Sequence, residues 1–103
     1  MVDVTFYVNG DFYTGFLIKG HAGYGTEGND IVCSAVSSAA YLTANNITDF
    51  FGINADVTAS DGCMKLTSED YANVSPHING LCEHMLQLQE QYRKMIKVKI
   101  SEV

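Results

Sequence analysis

Apolar and polar residues alternate near both ends of the chain, and this pattern limits its fold more than any other feature. Every second residue is apolar from Val2 to Val8, and the same alternation returns from Ile96 to Ile100. Successive side chains of a strand point to opposite faces of its sheet, so a period of two predicts half-buried strands. The first and last segments are therefore predicted to be strands.

Two hairpins are predicted from turn signals between other strand-like segments. Asn9-Gly10 is a strong hairpin signal, and residues 12–19, rich in aromatic and β-branched residues, return as a second strand. Residues 56–60 and 63–67 flank Asp61-Gly62 and are predicted to form the second hairpin. With the final segment, these make five strands.

The segment from Asp30 to about Asn45 has the pattern of a helix. Its apolar residues, such as Ile31, Ala35 and Leu42, are mixed with small ones. Because small side chains allow close approach, we expect this helix to pack closely on the sheet.

The second predicted helix runs from Ser75 to about Met95. Ser75 can cap its N-terminus, and Pro76 is suited to its first turn. One face follows the i, i+3, i+4, i+7 spacing of a buried stripe, with Ile78, Leu81, Cys82, Met85, Gln89 and Tyr92.

The predicted order of elements is ββαββαβ within a single domain that spans residues 1–103. We predict an α+β two-layer sandwich, in which two helices cover one face of a mostly antiparallel five-stranded sheet. The chain is 47% hydrophobic and 17% charged, which is typical of a globular protein. No apolar run is long enough to cross a bilayer, so no membrane association is expected.

The N-terminal residues lack the basic start and the apolar stretch of a signal peptide. The three cysteines, Cys33, Cys63 and Cys82, are an odd number without CxxC spacing, which disfavours a disulfide framework or a zinc site. These features predict a cytoplasmic protein.

Charge is distributed unevenly along the chain, whose formal net charge is −6. Residues 1–92 contain eleven acidic and two basic residues, a balance of −9, whereas residues 93–103 contain four basic and one acidic, a balance of +3. The acidic part would repel a phosphate backbone, so direct nucleic-acid binding is not expected. A basic peptide or protein is a better match, and the basic C-terminal cluster is predicted to be the outward face of a strand.

Six of the nine glycines lie between residues 10 and 28, and the segment 20–29 is too rich in glycine for a strand or helix. So long a loop in a small domain is usually functional or disordered. Residues 23–28 match GxGxxG, but Glu27 and Asp30 would place carboxylates where a pyrophosphate must bind. Dinucleotide binding is therefore not predicted.

Cys33 and His21 flank this loop and are the candidate catalytic pair. If Asn29 or Asp30 caps the helix, Cys33 lies in its first turn, where backbone N–H groups and the helix dipole favour a thiolate. A strand–loop–helix unit can bring the end of its strand close to the start of its helix. His21 could then accept the thiol proton, and helical N–H groups could stabilise the oxyanion of a tetrahedral intermediate.

The other cysteines and histidines have structural interpretations. Cys63 and Cys82 are expected to be small buried apolar residues. His77 and His84 are seven residues apart on the second helix, wider than the usual i, i+4 chelating pair. We predict that both are surface or interface residues and that the chain has no metal site.

Two sequence blocks resemble the ribosomal-processing cysteine proteases of the Prp family: Gly20-His21-Ala22-Gly23-Tyr24 and Asp30-Ile31-Val32-Cys33-Ser34-Ala35-Val36-Ser37. Both occur in order and at the spacing of the family, and the length and element order extend the resemblance over the whole chain. Gly25 and Ser34 stand where alanine is common in the family, and neither difference affects the chemistry.

The resemblance implies a homodimeric bacterial protease that removes a short N-terminal extension from a large-subunit ribosomal protein, and it implies no cofactor. It assigns the nucleophile to Cys33 and the catalytic histidine to His21. Composition and spacing do not identify this substrate. A basic ribosomal protein precursor does suit the acidic residues 1–92.

The expected mechanism is acyl transfer to Cys33, with N–H groups near Val32 and Cys33 holding the oxyanion. His21 protonates the leaving amine and then activates water. A third catalytic member is left open: Asp30 could orient His21, and Ser37, one turn after Cys33, could reach either residue. The substrate loop is expected to contain Gly20, Gly23, Tyr24, Gly25 and Gly28, with Tyr24 contacting aromatic side chains of the substrate.

Two other classes remain open from the residues alone. A thiol acyl-transfer hydrolase that acts on a small molecule would use the same pair, and a requirement for a peptide substrate would exclude it. A non-catalytic protein-interaction module would leave Cys33 unreactive, so its alkylation rate would resemble that of an ordinary cysteine.

Overall fold

A computed structural model describes residues 1–20 and 29–103 and contains the elements in the predicted order. Strands β1 (Val2–Asn9) and β2 (Phe12–Lys19) precede helix α1 (Asn29–Asn45), which continues into a π-helical turn (Asn46–Phe50). Strands β3 (Asp56–Ser60) and β4 (Cys63–Thr67), helix α2 (Tyr71–Gln91) and strand β5 (Ile96–Glu102) follow. The predicted ββαββαβ order and α+β class are confirmed.

The five strands form one sheet in the order β3-β4-β2-β1-β5. Neighbouring strands are antiparallel except β1 and β5, which run parallel. The pairing of β1 with β2 shifts register between Tyr7 and Val8, next to the pair of Tyr7 with Gly15. Gly15 is required there because a Cβ atom would collide with the carbonyl oxygen of Leu66 on β4. In this strand order β2 is the central strand, and β1 lies next to it.

Both helices cover the same face of the sheet. The buried apolar side chains of the strands come from alternate positions on this face: Val2, Val4, Phe6, Phe16, Ile18, Met64, Leu66 and Ile96. The register places them side by side, with Phe6 beside Phe16 and Phe16 beside Leu66. Side chains on the opposite face are half-buried or exposed, so no described element covers that face.

Helix α1 meets the core along a narrow stripe of small and β-branched residues. Val32, Val36, Ala40 and Ala44, spaced by four residues, are buried. Ile31 and Leu42, which the sequence pattern grouped with the apolar residues of this helix, are instead 63% and 61% exposed. The small and β-branched residues of α1 therefore face the core, and its larger apolar residues remain on the outer surface.

Helix α2 begins and ends about four residues earlier than predicted. Ser75 is therefore not the N-cap. Its hydroxyl oxygen accepts a hydrogen bond of 2.9 Å from the backbone N–H of Tyr13 on β2. The helix extends back to Tyr71 because Val74, one turn before Ile78, is fully buried and lengthens the apolar stripe.

The proline of α2 lies inside the helix rather than in its first turn. Pro76 has no N–H group to donate to the carbonyl of Ala72, but Ala72 is exposed, so water can bind that carbonyl. Most of the predicted stripe is confirmed, since Ile78, Leu81, Cys82 and Met85 are buried. No helix in the described ranges is both long and apolar enough to span a bilayer.

Candidate active site

The three cysteines have different surroundings, and these decide which of them can act as a nucleophile. Cys82 is fully buried, as predicted, and burial raises the pKa of its thiol even though the side chain of Tyr13 forms a hydrogen bond with it. Cys82 therefore stays a protonated thiol at neutral pH. Cys63, expected to be buried, is only half-buried at the start of β4, and Cys33 is half-buried in α1.

Cys33 is the fifth described residue of α1 (Asn29–Asn45). Helical side chains lean toward the N-terminus, which places the Cys33 thiol over the first turn. The field of the helix N-terminus therefore acts on the thiol.

Ser37 and Gly20, two residues that the sequence analysis assigned to the site, line one pocket of about 80 Å³. Ser37 lies one turn after Cys33, on the same side of α1, and is exposed. Gly20 directly follows β2. The pocket is completed by Ile18, Ala40, Tyr41, Ser60, Gly62, Cys63 and Met64. The end of β2 therefore lies against the side of α1 that carries Cys33 and Ser37.

Gly20 is held in a conformation that only glycine readily adopts. Its φ angle is +114°, and its N–H group donates a hydrogen bond of 3.0 Å to the carbonyl of Gly62. A Cβ atom at this position would collide with the carbonyl oxygen of Met1. The chain therefore leaves β2 in a direction fixed by two backbone contacts.

Seven of the nine residues that line this pocket were not predicted from the sequence, among them Tyr41, Gly62 and Cys63. Tyr41 follows Ser37 by one turn, so the spacing of four residues from Cys33 through Ser37 could have identified it. Gly62 and Cys63 belong to the second hairpin, and only the pairing of β4 with β2 brings them here. No local sequence signal indicates that pairing.

The predicted partner His21 and the loop residues Gly23, Tyr24, Gly25 and Gly28 lie outside the described residues, as does the side chain of Asp30. The other two histidines are at the surface, as predicted. They line a groove between α1 and α2, where the His77 ring lies 4.7 Å from the ring of Phe51, centroid to centroid. In the described part of the chain, no three His, Cys, Asp or Glu side chains converge as a metal site requires.

The half-buried thiol over the start of α1 suits a cysteine protease, and comparison with known families decides the assignment. The family model described as cysteine protease Prp matches residues 1–97. This chain belongs to the Prp family. It is a cysteine protease, and the resemblance of its two sequence blocks to that family is confirmed.

Solved structures show how far the Prp fold extends over this chain. The chain is similar to the essential ribosomal processing protease Prp from S. aureus, crystallised with a substrate peptide, at 23% identity and a TM-score of 0.88; the similarity covers 98% of this chain and 100% of the other. It is also similar to SMU.848 from Streptococcus mutans, with 24% identity, a TM-score of 0.83 and coverage of 100% and 96%. No curated protein sequence matches the chain. The Prp fold thus accounts for nearly every residue.

Proposed function

We propose that this Prp-family protease removes the N-terminal extension of a large-subunit ribosomal protein precursor in the cytoplasm, with Cys33 as its nucleophile. The observation that carries the proposal is the position of Cys33 over the first turn of α1, on the side of the helix that faces the end of β2. The similar protein from S. aureus is a ribosomal processing protease. A basic precursor also suits the eleven acidic residues among residues 1–92.

The reaction begins with transfer of the Cys33 proton to His21, which follows Gly20 directly in the chain. The thiolate attacks the scissile carbonyl carbon, and backbone N–H groups near Val32 and Cys33 stabilise the oxyanion. His21 then donates its proton to the leaving amine, and the thioester remains on Cys33. A water molecule gives a proton to His21 and hydrolyses the thioester, which restores the thiol.

Ser37 is our first candidate for a positioning residue, because its pocket also contains Gly20, the residue before His21. Its hydroxyl would hold the imidazole of His21 toward the thiol. Asp30 is the alternative, since its carboxylate would stabilise the imidazolium. Gly23, Tyr24, Gly25 and Gly28 are assigned to a loop that closes over the substrate, with Tyr24 contacting its aromatic side chains.

The substrate proposal predicts one cut in a ribosomal protein precursor. Incubation with a precursor that carries its extension, followed by intact-mass measurement, is expected to give the extension and the mature protein as the only products. An ester or thioester of a small molecule should be hydrolysed much more slowly. Efficient hydrolysis of the small ester with no cut in the precursor would favour a small-molecule hydrolase instead.

The catalytic pair predicts that His21 controls the reactivity of Cys33. In a Cys63→Ser background only Cys33 reacts readily, because Cys82 is buried. We expect iodoacetamide to alkylate Cys33 at pH 7 about tenfold or more slowly in His21→Ala than in the background protein, since loss of the base lowers the thiolate fraction. His84→Ala removes an exposed histidine elsewhere and is the matched control. Equal rates in all three proteins would exclude a contact between His21 and Cys33.

We also propose that two copies associate through the outer face of α1 and the following π-helical turn. Exposed apolar side chains are concentrated there, namely Ile31, Tyr41, Leu42, Phe50 and Phe51. Asp49 is the one charged residue from Ile31 to Phe51, so two chains of net charge −6 repel each other little at this face. Light scattering is expected to give a dimer mass for the wild type and a monomer mass for Leu42→Glu. A monomeric wild type would contradict this interface.

A further inference from the structure

Most basic side chains of this acidic protein are collected on the uncovered face of its sheet. Four of the six Lys and Arg residues lie there, and all four are exposed: Lys19 on β2, Lys65 on β4, and Lys97 and Lys99 on β5. We call this surface the lysine face. It is formed by three different strands, so it exists only in the folded protein.

The register of the strands places the four lysines in two neighbouring rows. Asp3 on β1 is paired with Lys19 on one side and with Lys97 on the other. In the next row Lys65 pairs with Leu17, Leu17 with Thr5, and Thr5 with Lys99. The residues that alternate with these, such as Val4 and Ile18, are buried under the helices, so the lysines point away from the helices.

The lysine face carries an excess of positive charge. The acidic residues at its register positions are Asp3 and Asp56, so four lysines against two aspartates leave +2. Since the whole chain carries −6, the remainder carries −8. The one ion pair within the described residues joins Arg93 and Glu90, which leaves the four lysines without a carboxylate within 4.0 Å.

The acidic residues of the helical layer do not cancel this local charge at physiological ionic strength. The carboxylates of α2, Glu83 and Glu90, are on the other layer, and packed layers are separated by about 10 Å. The Debye length is about 8 Å at 0.15 M salt. The negative charge of the helical layer is therefore largely screened from a ligand on the lysine face, whereas Asp61 and Glu102 lie at the margins of the sheet.

We propose that the lysine face binds the phosphate backbone of RNA. The inference rests on the proposed function, because a ribosomal protein precursor is basic and its anionic partner during assembly is RNA. The lysines would repel the precursor itself, so the lysine face serves the RNA that accompanies it.

The spacing of the lysines suits an extended polyanion better than a compact one. Lys97 and Lys99 are two residues apart on one strand, a separation of about 6.6 Å, and Lys19 lies two strands from Lys97, about 10 Å away. A single small anion cannot reach these positions together, whereas a chain of phosphates can. The Tyr7 ring, 5.8 Å from the Lys65 ammonium on this face, provides an aromatic surface for an unstacked base.

Fluorescence anisotropy with a labelled single-stranded RNA of about 20 nucleotides and mixed sequence tests the proposal. If three to four phosphates are neutralised, the slope of log K against log salt is expected to be about −2 to −3. In Lys65→Gln with Lys99→Gln we expect affinity to fall about tenfold at 0.15 M salt and the slope to become shallower by about 1.4.

The matched control is Arg93→Gln with Lys94→Gln, which removes the same charge from the turn after α2 and not from the sheet. Its affinity should change by less than about twofold. The proposal would be overturned if both double variants weakened binding equally or if the wild type did not bind RNA. It would also be overturned if the wild type bound polyglutamate in place of RNA, which would indicate an acidic protein partner. Cleavage of a short precursor peptide should be equal in all variants. If the wild type did not cleave this peptide, the result would count against the proposed function and not against RNA binding.

Discussion

Replacing Cys33 by serine is expected to abolish cleavage of the precursor, with kcat lowered at least about 1000-fold. The hydroxyl group keeps the shape of the side chain but ionises far less readily than a thiol. Cys33 is only half-buried, and one side of its side chain packs against the core. The substitution should therefore change the free energy of unfolding by less than about 1 kcal/mol. Cleavage is followed by intact mass and unfolding by urea.

Cys63→Ser is the matched control for this prediction. Cys63 is also half-buried and lines the pocket that contains Ser37, but it begins a strand and has no helix N-terminus beneath it. We expect this variant to keep most of its activity. Substantial activity in Cys33→Ser, or loss of activity in Cys63→Ser alone, would remove Cys33 from its role as nucleophile.

Gly20→Ala is expected to lower the free energy of unfolding by about 2 kcal/mol or more and to reduce cleavage strongly. Its φ angle of +114° is unfavourable for alanine, and the added Cβ atom would collide with the carbonyl oxygen of Met1. Relief of that collision must move either the start of β1 or the end of β2. Because His21 follows Gly20, the second movement would displace the base from the thiol.

Gly52→Ala separates the effect of the collision from that of backbone strain alone. Gly52 has a φ angle of +62°, but a Cβ atom there would have no neighbour within 4 Å. Its substitution should therefore cost about 1 kcal/mol and leave cleavage unchanged. If urea denaturation showed the same loss of unfolding free energy for both variants, the close approach between Met1 and Gly20 would make no contribution to the effect of Gly20→Ala.

The element order could be predicted because each element has a strong local signal. Alternation in β1 and β5 and the turn residues Asn9-Gly10 and Asp61-Gly62 correspond to the observed strands. The boundaries of α2 were less accurate, because serine and proline are common at helix starts, whereas burial of Val74 outweighs both here. That burial depends on the sheet beneath the helix and not on the local sequence.

The candidate site was predictable only where its residues share one helix. Ser37 follows Cys33 by one turn, so their common side of α1 is a matter of helical spacing. Gly62 reaches the same pocket through the pairing of β4 with β2, which depends on residues more than forty positions apart.

The parallel pair of β1 and β5 joins segments that are far apart in the chain, since Val2 lies beside Ile96. Until residues 96–102 have been synthesised, β1 has one free edge, and closing a loop of this length makes the pairing a late and cooperative event. The start of β1 also carries the Met1 carbonyl against which Gly20 is packed. The start of β1, and with it the close approach of Met1 and Gly20, is therefore held in place only once the fifth strand has docked.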